Sequence, residues 1–252
     1  MRAHQEREKA RELVANGLDD SEVARATGIP RTTVRMWRRD SFRDPAPGRA
    51  CAICRRESKD SAGLDLARYA YLLGAYLGDG HLVRHARTWR LTIYLDSRYP
   101  EILNEVAEAM EAVFRDKKAS RDLHPTSALV RVSMYSNHWP CLFPQHGPGR
   151  KHDRPIHLAH WQQRIVDVHH QEFLRGLIHS DGCRHINRVW HGNKSYEYSR
   201  YNFSNVSADI RALFCASCDA LGIAWRRMNA RNISVARREA VAALDEFIGP
   251  KR

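Results

Sequence analysis

The chain has 252 residues, 43% of them hydrophobic, and its 41 Lys and Arg against 29 Asp and Glu give a formal net charge of +12. Length and apolar content suit one large or two modest domains with a proper core, while the positive excess favours a polyanionic partner, because each Lys or Arg that neutralises a phosphate also releases a counterion. No stretch approaches the ~20 apolar residues that cross a bilayer, no apolar run of signal-peptide length follows Met1, and six thinly spread cysteines make no disulfide framework; a cytoplasmic, nucleoid-associated protein is expected, and a membrane partner is not.

Residues 1–43 read as a small helical module. A first helix is expected from about Gln5 to Ala15, stopping at Asn16-Gly17, where glycine can take the left-handed conformation that ends a helix. Asp20 or Ser21 would cap a second helix, Glu22 to Thr27, ending at Gly28, and Pro30 suits the first turn of a third reaching Arg39. The spacing Val23-Ala24, Gly28-Ile29, Val34, Trp37 resembles a helix-turn-helix, with a small residue at the helix crossing, a glycine turn and three core side chains. Arg31, Thr32 and Arg35 would face a major groove, with Thr33 or Arg38 nearer phosphate. A helical protein-docking module is the alternative for so short a pattern.

Residues 44–68 follow as a linker, since Pro45, Pro47 and Gly48 forbid a continuous helix. Cys51 and Cys54 within it have half the spacing of a zinc site, but no second pair lies nearby, so structural zinc is disfavoured. Cys215 and Cys218 sit in an amphipathic run, Asp209 to Leu221, where thiols pack as small hydrophobes.

The most informative feature is a repeat. Residues 72–80 read LLGAYLGDG and residues 174–182 read LRGLIHSDG, both of the form L-x-G-x-x-x-(small)-D-G, with Asp181 following Asp79 by 102 positions. Similar patterns follow each copy. After Gly80 come strand-like alternation at Leu91, Ile93 and Leu95, a helix from Pro100 to Phe114, a strand at Val130, Val132 and Met134, and a short helix from Asn137 to Phe143. After Gly182 come strands around Arg188–Trp190 and Tyr196–Val206, a helix at Ala208–Leu221, strands at Ile223–Arg227 and Asn232–Ala236, and a last helix at Arg238–Ile248. Each half is thus α-β-β-α-β-β-α, an internal duplication.

Gly74 with Gly78, and Gly176 with Ser180, put small residues four apart on one helix face, where they let two backbones approach more closely than the usual 8–10 Å between axes. If the motif helices pack along these faces, both end side by side in Asp-Gly, with glycine as a C-terminal cap. Each aspartate then meets the negative end of its helix dipole and the charge of its twin. Nothing about stability recommends this arrangement. A shared divalent cation explains it, and hard oxygen ligands with open water positions suit Mg2+, though other divalent cations fit as well.

From Tyr69 to the C-terminus these residues resemble the LAGLIDADG homing-endonuclease family in its single-chain, two-motif form. The resemblance implies an α+β fold of two pseudo-symmetric αββαββα halves, residues 69–145 and 161–252, joined by a basic linker at 146–160, whose curved antiparallel sheets form a saddle over duplex DNA. It implies that Asp79 and Asp181 bind divalent metal between the scissile phosphates, with Gly78 and Ser180 at the small position before them. The position two before each aspartate, often acidic in the family, is Leu77 in one copy and His179 in the other. Basic or polar groups near the last strand of each half support the reaction in the family; Arg237 or Arg238 in the second half and Ser136 in the first are the nearest matches, which leaves the first half without a basic one. Base and phosphate contacts would come from Arg90, Thr92, Tyr94, Arg131, Lys194, Tyr196 and Arg200. Unlike halves imply an asymmetric DNA site and a sufficient monomer.

Two functions follow. One is a site-specific, metal-dependent DNA endonuclease; the other is a non-cleaving transcriptional regulator with the same fold. A regulator need not keep both aspartates, and both are present. An excised intein is disfavoured, since no splicing Cys or Ser opens the chain and no His-Asn closes it.

Overall fold

The computed structural model describes residues 9–10, 12–14, 16–42, 64–114, 117–124, 127–249 and 251. They divide into two compact units between residues 51 and 52. The Cys51/Cys54 pair, most of the expected linker and much of the expected first helix lie outside the described residues.

In the first unit, residues 9–10 and 12–14 are helical, followed by α1 (Asp20–Thr27) and α2 (Arg31–Phe42). The cap of α1 is Asp19, one residue before the expected Asp20 or Ser21: its carboxylate accepts from the Ser21 and Glu22 amides while Glu22 reaches back to the Asp19 amide, a reciprocal capping box. Gly28 ends the helix at φ +66°, the left-handed conformation that glycine adopts without steric cost. Ala10, Val23, Ile29 and Val34 form the core, with Leu13, Val14, Leu18 and Ala24 packed on it. The side chain of Trp37, expected in this core, lies outside the described residues.

The second unit is α+β. It contains α3 (Leu66–Asp79), β1 (Gly80–Arg84), β2 (Trp89–Asp96), α4 (Pro100–Val113), β3 (Ser120–Leu123), β4 (Leu129–Tyr135) and α5 (Trp139–Leu142). Then come a 3-10 turn at Lys151–Asp153, α6 (His160–Val168), α7 (His170–Asp181), β5 (Gly182–His191), β6 (Lys194–Ser204), α8 (Ala208–Ala220), β7 (Arg226–Arg227), β8 (Asn232–Val235) and α9 (Arg238–Asp245). The repeat read in the sequence becomes two four-stranded antiparallel sheets of the same order, β1-β2-β4-β3 and β5-β6-β8-β7. On each sheet one face packs on helices: Leu82, Leu91, Ile93, Val132 and Met134 on the first, and Tyr201, Phe203, Ile233 and Val235 on the second, are buried. The period of two then leaves the alternate residues on an outer face.

The motif helices α3 and α7 pack on each other at their glycines. A Cβ on Gly74 would strike Phe173 O and come within 2.9 Å of Leu177 N, one on Gly176 would strike Tyr71 O and come within 2.8 Å of Ala75 N, and one on Gly78 would strike Ser180 Oγ. Because α3 is enclosed by both halves, Tyr69 through Leu77 are all buried.

The glycines after the two aspartates cap the motif helices as expected, their amides donating to Tyr76 O and Ile178 O, but with an extended backbone. Gly80 has φ −81° and Gly182 φ −103°, so neither is a left-handed cap. Each chain instead turns from helix into strand so sharply that a Cβ would lie 2.6 Å from Tyr76 Cα or 2.7 Å from Ile178 Cα, four residues back. Glycine is required there by sterics.

Replacing Gly176 with Ala drives a methyl into backbone atoms that cannot rotate away, so unfolding in urea should show a loss near the upper end of the overpacking range, about 3 kcal/mol. A variant within about 0.5 kcal/mol of wild type, the spread of neutral surface changes, would show that these helices do not approach so closely.

Candidate active centre and nucleic-acid interface

Asp79 and Asp181 are brought together. The carboxylate of Asp181 reaches across to α3, where its Oδ2 lies 3.0 Å from the position of a Cβ on Gly78. Burial raises both carboxyls above the ordinary range, Asp181 to about 6, and the charge of Asp79 contributes to the Asp181 shift. Asp79 is exposed at the surface and Asp181 is half-buried, so water screens much of this repulsion. Asn205 donates from Nδ2 to Asp181 Oδ2 at 2.6 Å, and the orientation of its amide is fixed by Ser207 N donating to Oδ1 at 2.7 Å.

The groups opposing these negative charges are two lysines that the sequence reading passed over. Lys151, placed there in a basic linker, donates from Nζ to the carbonyls of Tyr76, Gly78 and Gly80 at 2.5, 2.6 and 2.8 Å. Lys251 donates to Ile178, His179 and Ser180 at 3.2, 2.8 and 3.1 Å. Each ammonium thus spends its three N–H bonds on carbonyls at the C-terminal end of a motif helix, where the dipole favours a cation; Tyr76 O and Ile178 O accept as well from the amides of Gly80 and Gly182. Burial lowers the pKa of both, Lys151 to about 8, while Asp79 and Asp181 act in the opposite direction. A common device delivers them: Gly149 at φ +76° and Gly249 at φ +77°, each two residues before its lysine. That Gly-x-Lys, recurring about seventy residues after each aspartate, is the sequence signal that could have found them.

Arg237, Arg238 and Ser136 hold no such position. Arg237 and Arg238 are exposed at the start of α9, and buried Ser136 accepts from the His138 amide. The centre is instead basic in both halves. The carbonyls of Gly78 and Ser180, expected beside the metal, accept from the lysines, leaving the two carboxylates as the protein's hard donors. Among the described residues no group of three or more His, Cys, Asp and Glu could hold a metal, so a cation at the carboxylate pair would complete its shell with water and phosphate oxygens. That donor set suits Mg2+, which keeps several waters.

The expected sheet contacts share the outer faces. Register puts Arg90, Thr92, Tyr94 and Arg131 on one face of the first sheet, and Lys194, Tyr196 and Arg200 on the matching face of the second. Thr92 is fully buried there, so it lies beneath the contact surface and not on it. Arg131 pairs with Asp122 at 3.0 Å and Arg90 lies over the Tyr135 ring. Thr92 Oγ1, Ser234 Oγ, Asn202 Oδ1 and the Nε atoms of Arg90, Arg131 and Arg200 are buried without a hydrogen-bond partner. Unmet donors and acceptors on one face call for a polar ligand or water. The hairpin of β5 and β6 runs on past β8, which pairs only from Tyr201 to Ser204, and it carries exposed Val189, Trp190, Tyr196 and Tyr198.

In the first unit Arg31, Thr32 and Arg35 are exposed on α2. Arg38, expected near phosphate, is engaged internally, donating to Leu18 O at 2.7 Å and lying 3.3 Å from Asp20. Cys218 is buried in the core and burial raises both helical thiols, Cys215 to about 11, as befits packing groups. No helix among the described residues is long and apolar enough to cross a membrane.

No family model and no curated protein matches the chain. Among solved structures it is similar to the N-terminal LAGLIDADG domain of DUF199/WhiA, at 13% identity and a TM-score of 0.44, over 74% of this chain and 83% of that one. It is also similar to the LAGLIDADG meganuclease I-AabMI bound to uncleaved DNA, at 10% and 0.45 over 71% and 82%, and to the homing endonuclease I-WcaI bound to its DNA recognition sequence, at 10% and 0.46 over 75% and 83%. At such values the function has to be read from the geometry of the chain itself.

The raised Asp181 carboxyl has a consequence for stability. Folded Asp181 holds its proton more tightly than the unfolded side chain, so stability falls as pH rises from about 4 through about 6. In urea titrations Asp181→Asn should therefore be more stable than wild type at pH 7.5 and not at pH 4. Mg2+ added at pH 7.5 should narrow the gap by stabilising wild type alone. An equal gap at both pH values would contradict the rise that burial, with the charge of Asp79 beside it, gives the Asp181 carboxyl.

Proposed function

We propose that this chain is a DNA endonuclease that lays duplex DNA across the outer faces of its two sheets and hydrolyses a phosphodiester at the end of each motif helix. The observation that carries this reading is the lysine ammonium held on the end of each aspartate-terminated motif helix, each within the field of both carboxylates. Asp79 and Asp181 would hold divalent metal, which supplies a water of lowered pKa and charge neutralisation at the leaving 3′ oxygen. Asn205 fixes the carboxylate of Asp181. Lys151 and Lys251 place positive charge under the phosphate and keep the two carboxylates anionic near neutral pH. Arg90, Arg131, Lys194 and Arg200, with Tyr94 and Tyr196, contact bases and phosphates, and the unlike hairpins make the site asymmetric for a monomer. Arg31, Thr32 and Arg35 form a second DNA-reading surface.

One observation favours the second reading, a regulator that binds without cutting. All three donors of each ammonium are committed to backbone carbonyls, which leaves none for a phosphate unless a bond is exchanged.

A library of duplex targets in Mg2+ separates the two. For the endonuclease, Asp79→Asn and Asp181→Asn should each reduce cleavage by ~10²–10³-fold, and Lys151→Met or Lys251→Met by ~10²-fold, the scale of losing one preorganised charge. DNA affinity should stay within a few-fold. Cleavage retained by both aspartate variants would sink the metal assignment, and tight binding without cleavage in any divalent metal would establish the regulator.

A further inference from the structure

The geometry points to His179 as a positioning residue for Lys251, and so for one of the two centres only. This inference rests on the reading of Lys251 as part of the second centre.

His179 is buried inside the α3–α7 contact. Its Nε2 lies 2.7 Å from Ile248 O and its Nδ1 lies 2.9 Å from the Tyr71 hydroxyl. A carbonyl oxygen can only accept, so Nε2 carries the proton, Nδ1 is bare, and Tyr71 donates to it. One imidazole therefore ties the first motif helix to the segment that follows α9. One turn earlier on the same face of α7, Arg175 donates to Phe247 O at 2.5 Å and is braced by Glu105 at 2.8 Å. Two successive carbonyls, 247 and 248, are thus held by two side chains of the second motif helix. Gly249 then turns the chain at φ +77°, and Lys251 follows three residues after Ile248, at most ~10 Å of extended backbone. Holding Ile248 fixes where the ammonium can go.

The first half does the same job with other residues. Tyr69 donates to Leu142 O, Gln162 bridges Tyr69 and Gln145, and Arg154 donates to Gln145 O and Gly149 O, which fixes the loop that carries Lys151. The residue matching His179 in the first motif is Leu77, which has no donor. The Leu77/His179 difference between the copies is thereby explained: only the second lysine segment is held from the aspartate end of its own motif helix, whereas the first is held through Tyr69 at the opposite end and through Gln162, Gln145 and Arg154.

The test uses the full chain, with duplex DNA labelled on each strand, in Mg2+. His179→Leu should slow, by about tenfold or more, the same strand that Lys251→Met slows, leaving the other strand within about twofold. His179→Gln, whose amide can serve both Ile248 O and the Tyr71 hydroxyl, should restore it. On a Lys251→Met background His179→Leu should add nothing, since a residue acting through another is not additive with it. Arg175→Met, at a half-buried side chain outside the helix contact, should reproduce the strand-selective loss if His179→Leu folds poorly. Without DNA or metal, amide hydrogen exchange at residues 247–249 should quicken in His179→Leu and not in His179→Gln. Equal slowing of both strands, additive losses, or unchanged exchange would overturn the assignment. If wild type cuts neither strand, the endonuclease reading fails, while the exchange measurement still decides whether His179 anchors the tail.

Discussion

The contact between α3 and α7 is the constraint on which the rest of the second unit depends. Two backbones meet where Gly74, Gly78 and Gly176 offer no side chain, and each Cβ that could be added there would collide with the facing helix. Dispersion and burial favour such contact only because nothing intervenes. Its cost is electrostatic, since it brings two helix C-termini and two carboxylates into one small volume. The sheets inherit their placement from this contact, because β1 and β5 begin on the residue after each helix.

That electrostatic cost is met from outside the motif. Lys151 and Lys251 arrive on irregular segments and satisfy the last carbonyls of both helices, so one group answers two needs, an unpaired acceptor and a negative field. An ammonium with a pKa of about 8, as for Lys151, remains mostly charged at neutral pH. The two centres are alike in these ligands and unlike in their supports, since Asn205 braces Asp181 and a histidine tethers the second lysine segment.

Local periodicity carried most of this architecture into the sequence. Alternation at Leu91-Ile93-Leu95 and Val130-Val132-Met134 marked the strands, and the duplicated L-x-G pattern marked the helix pair. What escaped was long-range. Lys151 lies 71 to 75 residues from the carbonyls it binds, and only the recurrence of Gly-x-Lys at about the same distance after both aspartates, not its own segment alone, sets it apart from a solvated linker. Thr92 followed the correct alternation onto the outer face, but burial by neighbouring strands cannot be read from a period of two. Gly80 and Gly182 were legible as helix caps, which they are; that glycine is also required there by the collision with residue i−4 depends on how sharply the following strand departs, which no local pattern records.

The two hairpins that open the sheets are of unequal length. β5 runs for ten residues where β1 runs for five, and its far end is sheathed by no third strand. A rod laid across one short and one long support cannot be turned end for end without exchanging what each support touches. The projecting ribbon with Tyr196 and Tyr198 therefore gives the molecule a front and a back, and any helical polymer it grips acquires a heading.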